Sequence, residues 1–263
     1  MVSKSQIKLI TSLEQKKNRT KSGLFIVEGK KGIREILNSQ FELDSLFTTG
    51  ENFDAPASKT HLINEAELNK ISRLKTPQSA LALFKIPEEN IPVIKNLVVA
   101  LDGIRDPGNL GTIIRLCDWF GIETLLCSND TVDCYNPKVV QATMGSITRV
   151  TISYVDLELV LKNNIDQPVI GTFLKGENIY STQLPNNGIL ILGNEANGIS
   201  AEVEKMVSQK LNIPQFGKTQ STESLNVATA TSILLSEFRR HAPYGNVMFI
   251  KIPRDDIFST LPV

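Results

Sequence analysis

From residue 96 onward the chain alternates short apolar segments with longer segments of helical spacing. The predicted strands are residues 96–101, 123–127, 149–153, 168–173, 188–193 and 210–214. The predicted helices are residues 109–120, 137–145 with Asn136 as its cap, 156–163, 200–208 and 224–241. Short strands that are apolar on both faces are typical of a buried parallel sheet with helices on each side. The pattern therefore predicts an α/β fold for this part of the chain.

The ends of these strands predict where a ligand would bind. Open parallel sheets bind their ligands at the carboxyl ends of the strands. The residues at those ends are Asp102, Thr172, Gly193 and Pro214. We expect these four residues to lie along one rim of the sheet.

The residues before this pattern predict a second, smaller α/β unit. Apolar strands are predicted at "GLFIVEG", "LDSLFTTG" and "SALALFKIP", with helices between them, one of which begins at Asn64. The stretch "PEENIPVIKN" has two prolines and little periodicity, which is typical of a linker. The predicted domains are residues 1–92 and 93–263. The tail 241–263 has no assignment apart from an edge strand at "NVMFIKI".

Charge is distributed unevenly along a chain whose formal net charge is zero. Residues 1–40 contain nine Lys or Arg against three Glu, so the remainder is net negative. A localised basic segment favours the binding of phosphates. A solvated helix face explains the same charges, and on charge alone it is the simpler interpretation. The candidate phosphate contacts in this segment, which would be RNA contacts if the ligand is a nucleic acid, are Lys16, Lys17, Arg19 and Lys30.

The composition favours a cytoplasmic protein that neither crosses a membrane nor holds a metal. No run of about 18 apolar residues is present, and the first ten residues lack the apolar core of a secretory signal. Cys117, Cys127 and Cys134 have no CxxC spacing. Such scattered cysteines are typical of reduced thiols rather than of disulfides or a zinc site.

The stretch "DGIRDPGNLGTIIRLCDWFGI", residues 102–122, is the first candidate site. Apolar residues at helical spacing predict a helix that Asn109 caps, and Arg115 lies off the apolar stripe. Gly108 and Gly111 would allow a ligand to approach the backbone closely. The stretch lacks the Walker lysine and the complete GxGxxG of nucleotide sites. Alone, it fits a surface arginine as well as a functional one.

Two later stretches place polar residues after predicted strands. In "LILGNEANGIS" a strand ends at Gly193 and Glu195 follows, which indicates either a carboxylate beside a ligand or a solvated turn. In "LNIPQFGKTQSTESLNVATA" a strand runs into Ile213. Ser224 then begins a long helix, either as a site residue or as its N-cap.

In this order and at these separations, the three stretches resemble the SpoU family, also called TrmH, of RNA ribose 2′-O-methyltransferases. The matching positions are Asn109, Gly111, Arg115, residues 192–195, Gly198, Ile213, Pro214, Gly217 and residues 224–227. The stretch "SLEQKKNRTKSGLFIVEGKKGIREIL" resembles the substrate-binding domain of many members, which is similar to a large-subunit ribosomal protein. The resemblance covers most of residues 5–241. It departs from the family at Ala196, where a second glycine is usual, and in a longer loop at 217–224.

The resemblance implies a deep trefoil knot in the C-terminal domain and a homodimer formed through that domain. It also implies that S-adenosylmethionine binds without a metal, mainly to backbone groups of Thr172, Gly193, Ile213 and Leu225. The substrate would be RNA. The N-terminal domain indicates ribosomal RNA rather than transfer RNA.

The catalytic residues that the resemblance implies are Asn109, Arg115, Glu195, Ser224 and Asn226. A guanidinium, with a pKa above about 12, is a poor proton acceptor. We therefore expect Arg115 to clamp a phosphate and stabilise a developing alkoxide, with Glu195 orienting either Arg115 or Asn109.

Two other functions remain open from the sequence. One is a non-enzymatic RNA-binding module of the same fold, which would not bind S-adenosylmethionine. The other is a nucleotide-dependent oxidoreductase, which the incomplete glycine fingerprint disfavours.

Overall fold

The computed structural model describes residues 1–88, 94–217 and 224–240. Within these ranges the chain forms two sheets, each with its own helices. The centre of the predicted linker, most of the longer loop at 217–224, and the tail 241–263 with its predicted edge strand lie outside the described residues.

The N-terminal unit, residues 1–88, is built on a four-stranded sheet. Its strands are β1 (Leu24–Glu28), β2 (Leu43–Thr48), β3 (Thr60–Leu62) and β4 (Ala80–Lys85). Its helices are α1 (Lys4–Ser12), α2 (Lys16–Ser22), α3 (Lys30–Leu37) and α4 (Glu65–Ile71). The strand order is β1-β4-β2-β3, in which β2 and β3 are parallel and the other pairs antiparallel. Asn64 begins α4 as predicted, in a capping box with Glu67.

The C-terminal unit, residues 94–240, is built on a six-stranded sheet. Its strands are β5 (Leu97–Asp102), β6 (Thr124–Ser128), β7 (Thr151–Val155), β8 (Val169–Asn178), β9 (Gly188–Gly193) and β10 (Gln209–Asn212). Its helices are α5 (Pro107–Trp119), α6 (Pro137–Thr143), α7 (Leu157–Asn163), α8 (Ala201–Glu204) and α9 (Val227–Arg239). The order is β10-β8-β9-β5-β6-β7 and every pair is parallel. The predicted parallel α/β fold is confirmed.

Side chains alternate along each strand, so successive residues pack on opposite faces of the sheet. Helices cover both faces and bury them. On β5, Val98 and Ala100 pack on the side of α7 and α8, while Val99 and Leu101 pack on the side of α5, α6 and α9. The strand order reverses between β5 and β9. An open α/β sheet binds its ligands at such a switch point. None of the described helices has the length and apolarity needed to cross a membrane.

Two helices are capped by residues other than the candidates that the sequence offered. The cap of α5 is Asp106, whose carboxylate accepts from the Asn109 amide, because Pro107 is well suited to the first helical position. Asn109 is therefore not the cap. The cap of α9 is Asn226 rather than Ser224, because the Asn226 side chain accepts from two free amides of the first turn. Asn136 caps α6 as predicted.

Candidate active site at the carboxyl edge of the six-stranded sheet

The loops that follow β5 and β9 lie side by side at the carboxyl edge of the sheet. Asp102 and Gly193, the last residues of these strands, are paired in the register. Asn194 Nδ2 donates to the Gly103 carbonyl at 2.6 Å. The Ser200 amide donates to the Asp102 carboxylate at 2.7 Å. These bonds fasten the loop after β5, residues 103–106, to the loop after β9, residues 194–200. We call these the first and second motif loops.

A network of three side chains connects the first turn of α5, the loop after β9 and the end of the third motif loop, residues 213–226. Asn226 Nδ2 donates to Asn109 Oδ1 at 2.9 Å, and Asn109 Nδ2 donates to Glu195 Oε1 at 2.6 Å. The helix cap determines how the amides are oriented. Asn226 Oδ1 accepts from the Ala228 and Thr229 amides, so its Nδ2 is left to donate across the loops. Asn109 must accept that bond, which turns its own Nδ2 toward the Glu195 carboxylate.

Arg115 and Ser224 are exposed and lie outside this Asn226–Asn109–Glu195 network. Because α5 begins at Pro107, Arg115 lies in the third turn of the helix, on an exposed face with Thr112 and Trp119. The structure pairs Glu195 with Asn109, one of its two expected partners. The guanidinium of Arg115 is left facing solvent.

A cavity of about 1340 Å³ opens beside the second and third motif loops. All four residues predicted to bind the cofactor line it, together with Glu195 and Ser224: Thr172, Gly193, Ile213 and Leu225. Other lining residues add an apolar wall: Leu192, Val227, Ala230 and Leu234. Small-molecule sites combine such a wall with a few polar groups. The cavity therefore suits a ligand with a flat apolar part and a polar part.

Two motif glycines are required by the packing of the protein itself. A Cβ on Gly111 would lie 2.4 Å from the Cβ of Ala142, so this glycine allows α5 and α6 to touch. The interpretation that Gly111 admits a ligand is therefore wrong. A Cβ on Gly193 would lie 2.2 Å from the carbonyl carbon of Gly198. The absence of a side chain there lets the second motif loop fold back over the strand end.

Asn194 organises that loop, although the sequence reasoning did not single it out. Its Oδ1 accepts from the amides of Ala196 and Asn197 at 2.9 and 3.2 Å, while its Nδ2 holds the loop after β5. An asparagine whose side chain bonds to a backbone amide two residues later forms a recurrent turn. Its position directly after a strand-ending glycine was the signal for this role.

Arg19 has a structural role rather than the predicted contact with RNA. Its side chain is 2 % exposed. Nε donates to the Asp133 carboxylate at 2.8 Å, and Nη1 donates to the Leu13 and Glu14 carbonyls at 2.7 and 2.8 Å. Because these donors are used inside the protein, the assignment of Arg19 to RNA binding is wrong.

The three predicted lysines are exposed but differ in their surroundings. Lys30 pairs with Glu51 at 2.6 Å. This hydrogen bond lowers the pKa of Glu51 and keeps its carboxylate charged. Lys16 Nζ lies 5.4 Å from the centre of the Tyr154 ring. Lys17, next in the same helix, is exposed.

Cys117, Cys127 and Cys134 are free and buried. Burial raises the pKa of each thiol, so none of the three supplies a thiolate. In the ranges that the structure describes, no three His, Cys, Asp or Glu side chains are grouped so as to hold a metal ion.

Comparison with known proteins gives consistent matches over both units. Residues 96–236 match the SpoU rRNA Methylase family, and residues 4–82 match the MRM3-like substrate binding domain. The 23S rRNA (guanosine(2553)-2′-O)-methyltransferase RlmP of Bacillus subtilis is 28% identical over 242 residues, which cover 86% of this chain and 93% of RlmP.

Solved structures match over nearly the whole chain. A TrmH-family protein from Porphyromonas gingivalis has a TM-score of 0.84 and 39% identity, covering 91% of this chain and 99% of that one. An AdoMet-bound rRNA methyltransferase from Sinorhizobium meliloti has a TM-score of 0.81 and 30% identity, covering 92% and 97%. With a family match that spans more than half of its length, this chain belongs to the SpoU rRNA methylase family.

Proposed function

We propose that this chain transfers a methyl group from S-adenosylmethionine to a ribose 2′-hydroxyl of RNA, with ribosomal RNA as the substrate class. The observation that carries the proposal is the Asn226–Asn109–Glu195 network, which joins residues of all three motif stretches and ends at Glu195 on the cavity wall. RlmP and the Sinorhizobium meliloti protein, which are similar over most of their length, are both named rRNA methyltransferases.

The cavity fits the cofactor in size and chemistry. Its apolar wall, which includes Ile213 and Leu225, suits the flat face of a purine, and the backbone at Thr172 and Gly193 offers polar groups for the ribose and the amino-acid part. When bound, S-adenosylmethionine supplies an electrophilic methyl group on its sulfonium. These four residues are the proposed cofactor contacts.

The remaining task of the protein is to orient the ribose and to stabilise charge as the 2′-hydroxyl loses its proton. Glu195 lines the cavity with its carboxylate held by Asn109, so it is placed to accept a hydrogen bond from the hydroxyl. Ser224 lines the same cavity and adds a second polar contact. Arg115 presents an unburied guanidinium whose forked donors fit a phosphate and stabilise negative charge on the ribose oxygen.

The proposal extends to the architecture. Residues 1–92 would bind RNA, through Lys16, Lys17 and Lys30, and residues 93–263 would bind the cofactor within a trefoil knot around the second and third motif loops. Two copies would pair through α9 and its neighbour α5, in the cytoplasm. The exposed Trp119 on α5 supports this pairing, since aromatic side chains are enriched at protein interfaces. Light scattering should give twice the 29.1 kDa of one chain.

Calorimetry on protein freed of bound ligand tests the activity. S-adenosylmethionine should bind without added metal or RNA, because the cavity is formed by the folded chain alone. Transfer of a labelled methyl group to ribosomal RNA from a strain that lacks the gene should follow, at a mapped ribose. Absence of cofactor binding would contradict the enzyme and favour the RNA-binding module.

A further inference from the structure

The N-terminal unit is held against the C-terminal unit by a buried ion pair. Arg19 in α2 donates from Nε and Nη2 to the carboxylate of Asp133, on the loop between β6 and α6. The other oxygen of Asp133 accepts from the Tyr135 amide at 3.0 Å. Separating the units would leave two buried charges without partners or force both to be hydrated again. The pair is therefore complete only in this relative orientation.

The loop that carries Asp133 is itself fixed. The Tyr154 hydroxyl donates to the Val132 carbonyl at 2.5 Å and accepts from the Cys134 amide at 2.7 Å, one residue on either side of Asp133. Burial raises the pKa of Tyr154, so the phenol stays a donor. The carboxylate is thus presented to Arg19 by a rigid loop.

Apolar contacts continue the same interface. The ring of Tyr135 packs against Phe25 of β1 and Phe41, with centroids 4.8 and 6.4 Å apart. These residues belong to one buried cluster that runs from the N-terminal sheet into α5, α6 and α9. Domains joined by a large apolar interface do not move independently.

A second ion pair leads from the N-terminal unit to the helix of Arg115. Arg149 binds Glu35 of α3 at 2.9 Å and Asp118 of α5 at 2.9 Å. Asp118 is three residues after Arg115 on the same helix. Partial burial lowers the pKa of Arg149, but the hydrogen bonds and charges of Glu35 and Asp118 together outweigh it, so the net pKa is raised. The N-terminal unit is therefore tied to the helix that presents the proposed clamp.

We propose that Arg19, Asp133 and Arg149 are positioning residues for the methyl transfer. They keep the RNA-binding surface of the N-terminal unit at a fixed distance from Arg115. The reacting ribose is then selected by its distance from an RNA element bound to that unit, and not by contacts to its base. This inference rests on the proposed function. It fits the way in which folded RNA is recognised largely by its shape.

Two variants remove ionic links between the units without changing a proposed site residue. Arg19→Met with Asp133→Leu replaces both buried charges by apolar side chains, so that neither is left unpaired. Arg149→Met removes the partly exposed link to α3 and decides the question if the double variant does not fold. The matched control is Arg73→Met, which removes an arginine whose partner, Glu14, lies in the same unit.

The probe is total RNA from a strain that lacks the gene, with each methylated ribose mapped. Both test variants should bind S-adenosylmethionine with unchanged Kd and RNA within about twofold of the unaltered protein. Their kcat at the native nucleotide should fall at least about tenfold, because a small misplacement of reacting groups is costly, and methylation should spread to nearby nucleotides. Arg73→Met should behave as the unaltered protein.

An unchanged kcat and an unchanged target nucleotide in both test variants would overturn the proposal. A loss of cofactor affinity, or a weaker RNA affinity with kcat preserved, would also overturn it, since these residues would then act on folding or on RNA binding alone. If the unaltered protein neither binds S-adenosylmethionine nor methylates this RNA, the proposed function itself is refuted.

Discussion

The carboxyl edge of the six-stranded sheet differs from the basic surface of the N-terminal unit, formed by Lys30 and Arg34, in what its polar side chains bond to. At the edge, Asn109 in the first turn of α5, Glu195 in the loop after β9 and Asn226 at the start of α9 bond to one another across 117 and 86 residues of sequence. In the N-terminal unit, Lys30 and Arg34 share one nearby anion, Glu51. The polar groups of the edge are ordered by bonds between distant segments, whereas part of the basic charge is neutralised by a neighbour. A count of charges therefore says less about function than the spacing of motifs.

The largest effect should come from Arg115, which is exposed on α5 within two turns of Asn109 and has no ion pair among the described residues. Arg115→Ala and Arg115→Lys should both fold and bind S-adenosylmethionine, because the side chain is exposed. Both should lose methyl transfer by about 100-fold or more, since lysine keeps the charge but not the forked donors. Initial rates of methyl incorporation, with calorimetry of cofactor binding, measure this. A lysine variant with near-normal rates would contradict the clamp.

Asn109→Asp would remove the bond to Glu195 without changing the size of the side chain. The new carboxylate would replace an amide that donates to Glu195 at 2.6 Å, and the two anions would repel. We expect kcat to fall about 10-fold or more with cofactor binding retained.

The matched control for this change is Asn136→Asp, which alters the cap of α6. Aspartate caps helices as well as asparagine, so rates should not change. Equal losses in the two variants would mean that the Asn226–Asn109–Glu195 network has no special part in catalysis.

Gly111→Val tests whether the candidate site depends on the close packing of α5 against α6. The new Cβ would collide with Ala142 and with the Val139 carbonyl, at 2.4 and 2.9 Å. Overpacking of this kind costs about 1–3 kcal/mol, which chemical denaturation can measure. Thr112→Val, on the exposed face of the same helix, is the control and should change little. Unaltered stability with weaker RNA binding would return Gly111 to the role of a ligand contact.

The smallest effect should come from the basic surface. Glu51→Gln would release Lys30 and Arg34 from their shared anion. If this surface binds phosphates, RNA affinity should rise about twofold to threefold and the salt slope should steepen by up to about one. Glu158→Gln is the control, because it makes the same charge change at the Lys162–Glu158 pair within α7 of the C-terminal unit. No gain over that control would mean that this surface is only solvated.

Local sequence carried much of the fold. The capping residues Asn64 and Asn136 stand next to the helices that they begin, so their role could be predicted from neighbours alone. The alternation of apolar segments likewise predicted the parallel sheet. The strand β3 escaped prediction because it is three residues long and largely exposed, and it exists through its pairing with β2.

Contacts between distant segments could not be predicted in this way. The burial of Arg19 depends on Asp133, 114 positions away, and no local pattern reports that pairing. The same limit applied at the candidate site. Strand ends and motif spacing indicated which segments would meet, but not which of its two expected partners, Asn109 or Arg115, Glu195 would bond to.

The long separations within the Asn226–Asn109–Glu195 network constrain how the protein becomes active during synthesis. The N-terminal unit can begin to fold early, because its sheet is complete by residue 85. Asn109 finds its carboxylate partner only after residue 195 has been made, and its amide partner only after residue 226. Val227 and Leu234, which line the cavity, belong to α9, the last helix of the described chain. A growing chain could therefore hold RNA before it could modify it, and the onset of catalysis would mark the docking of α9.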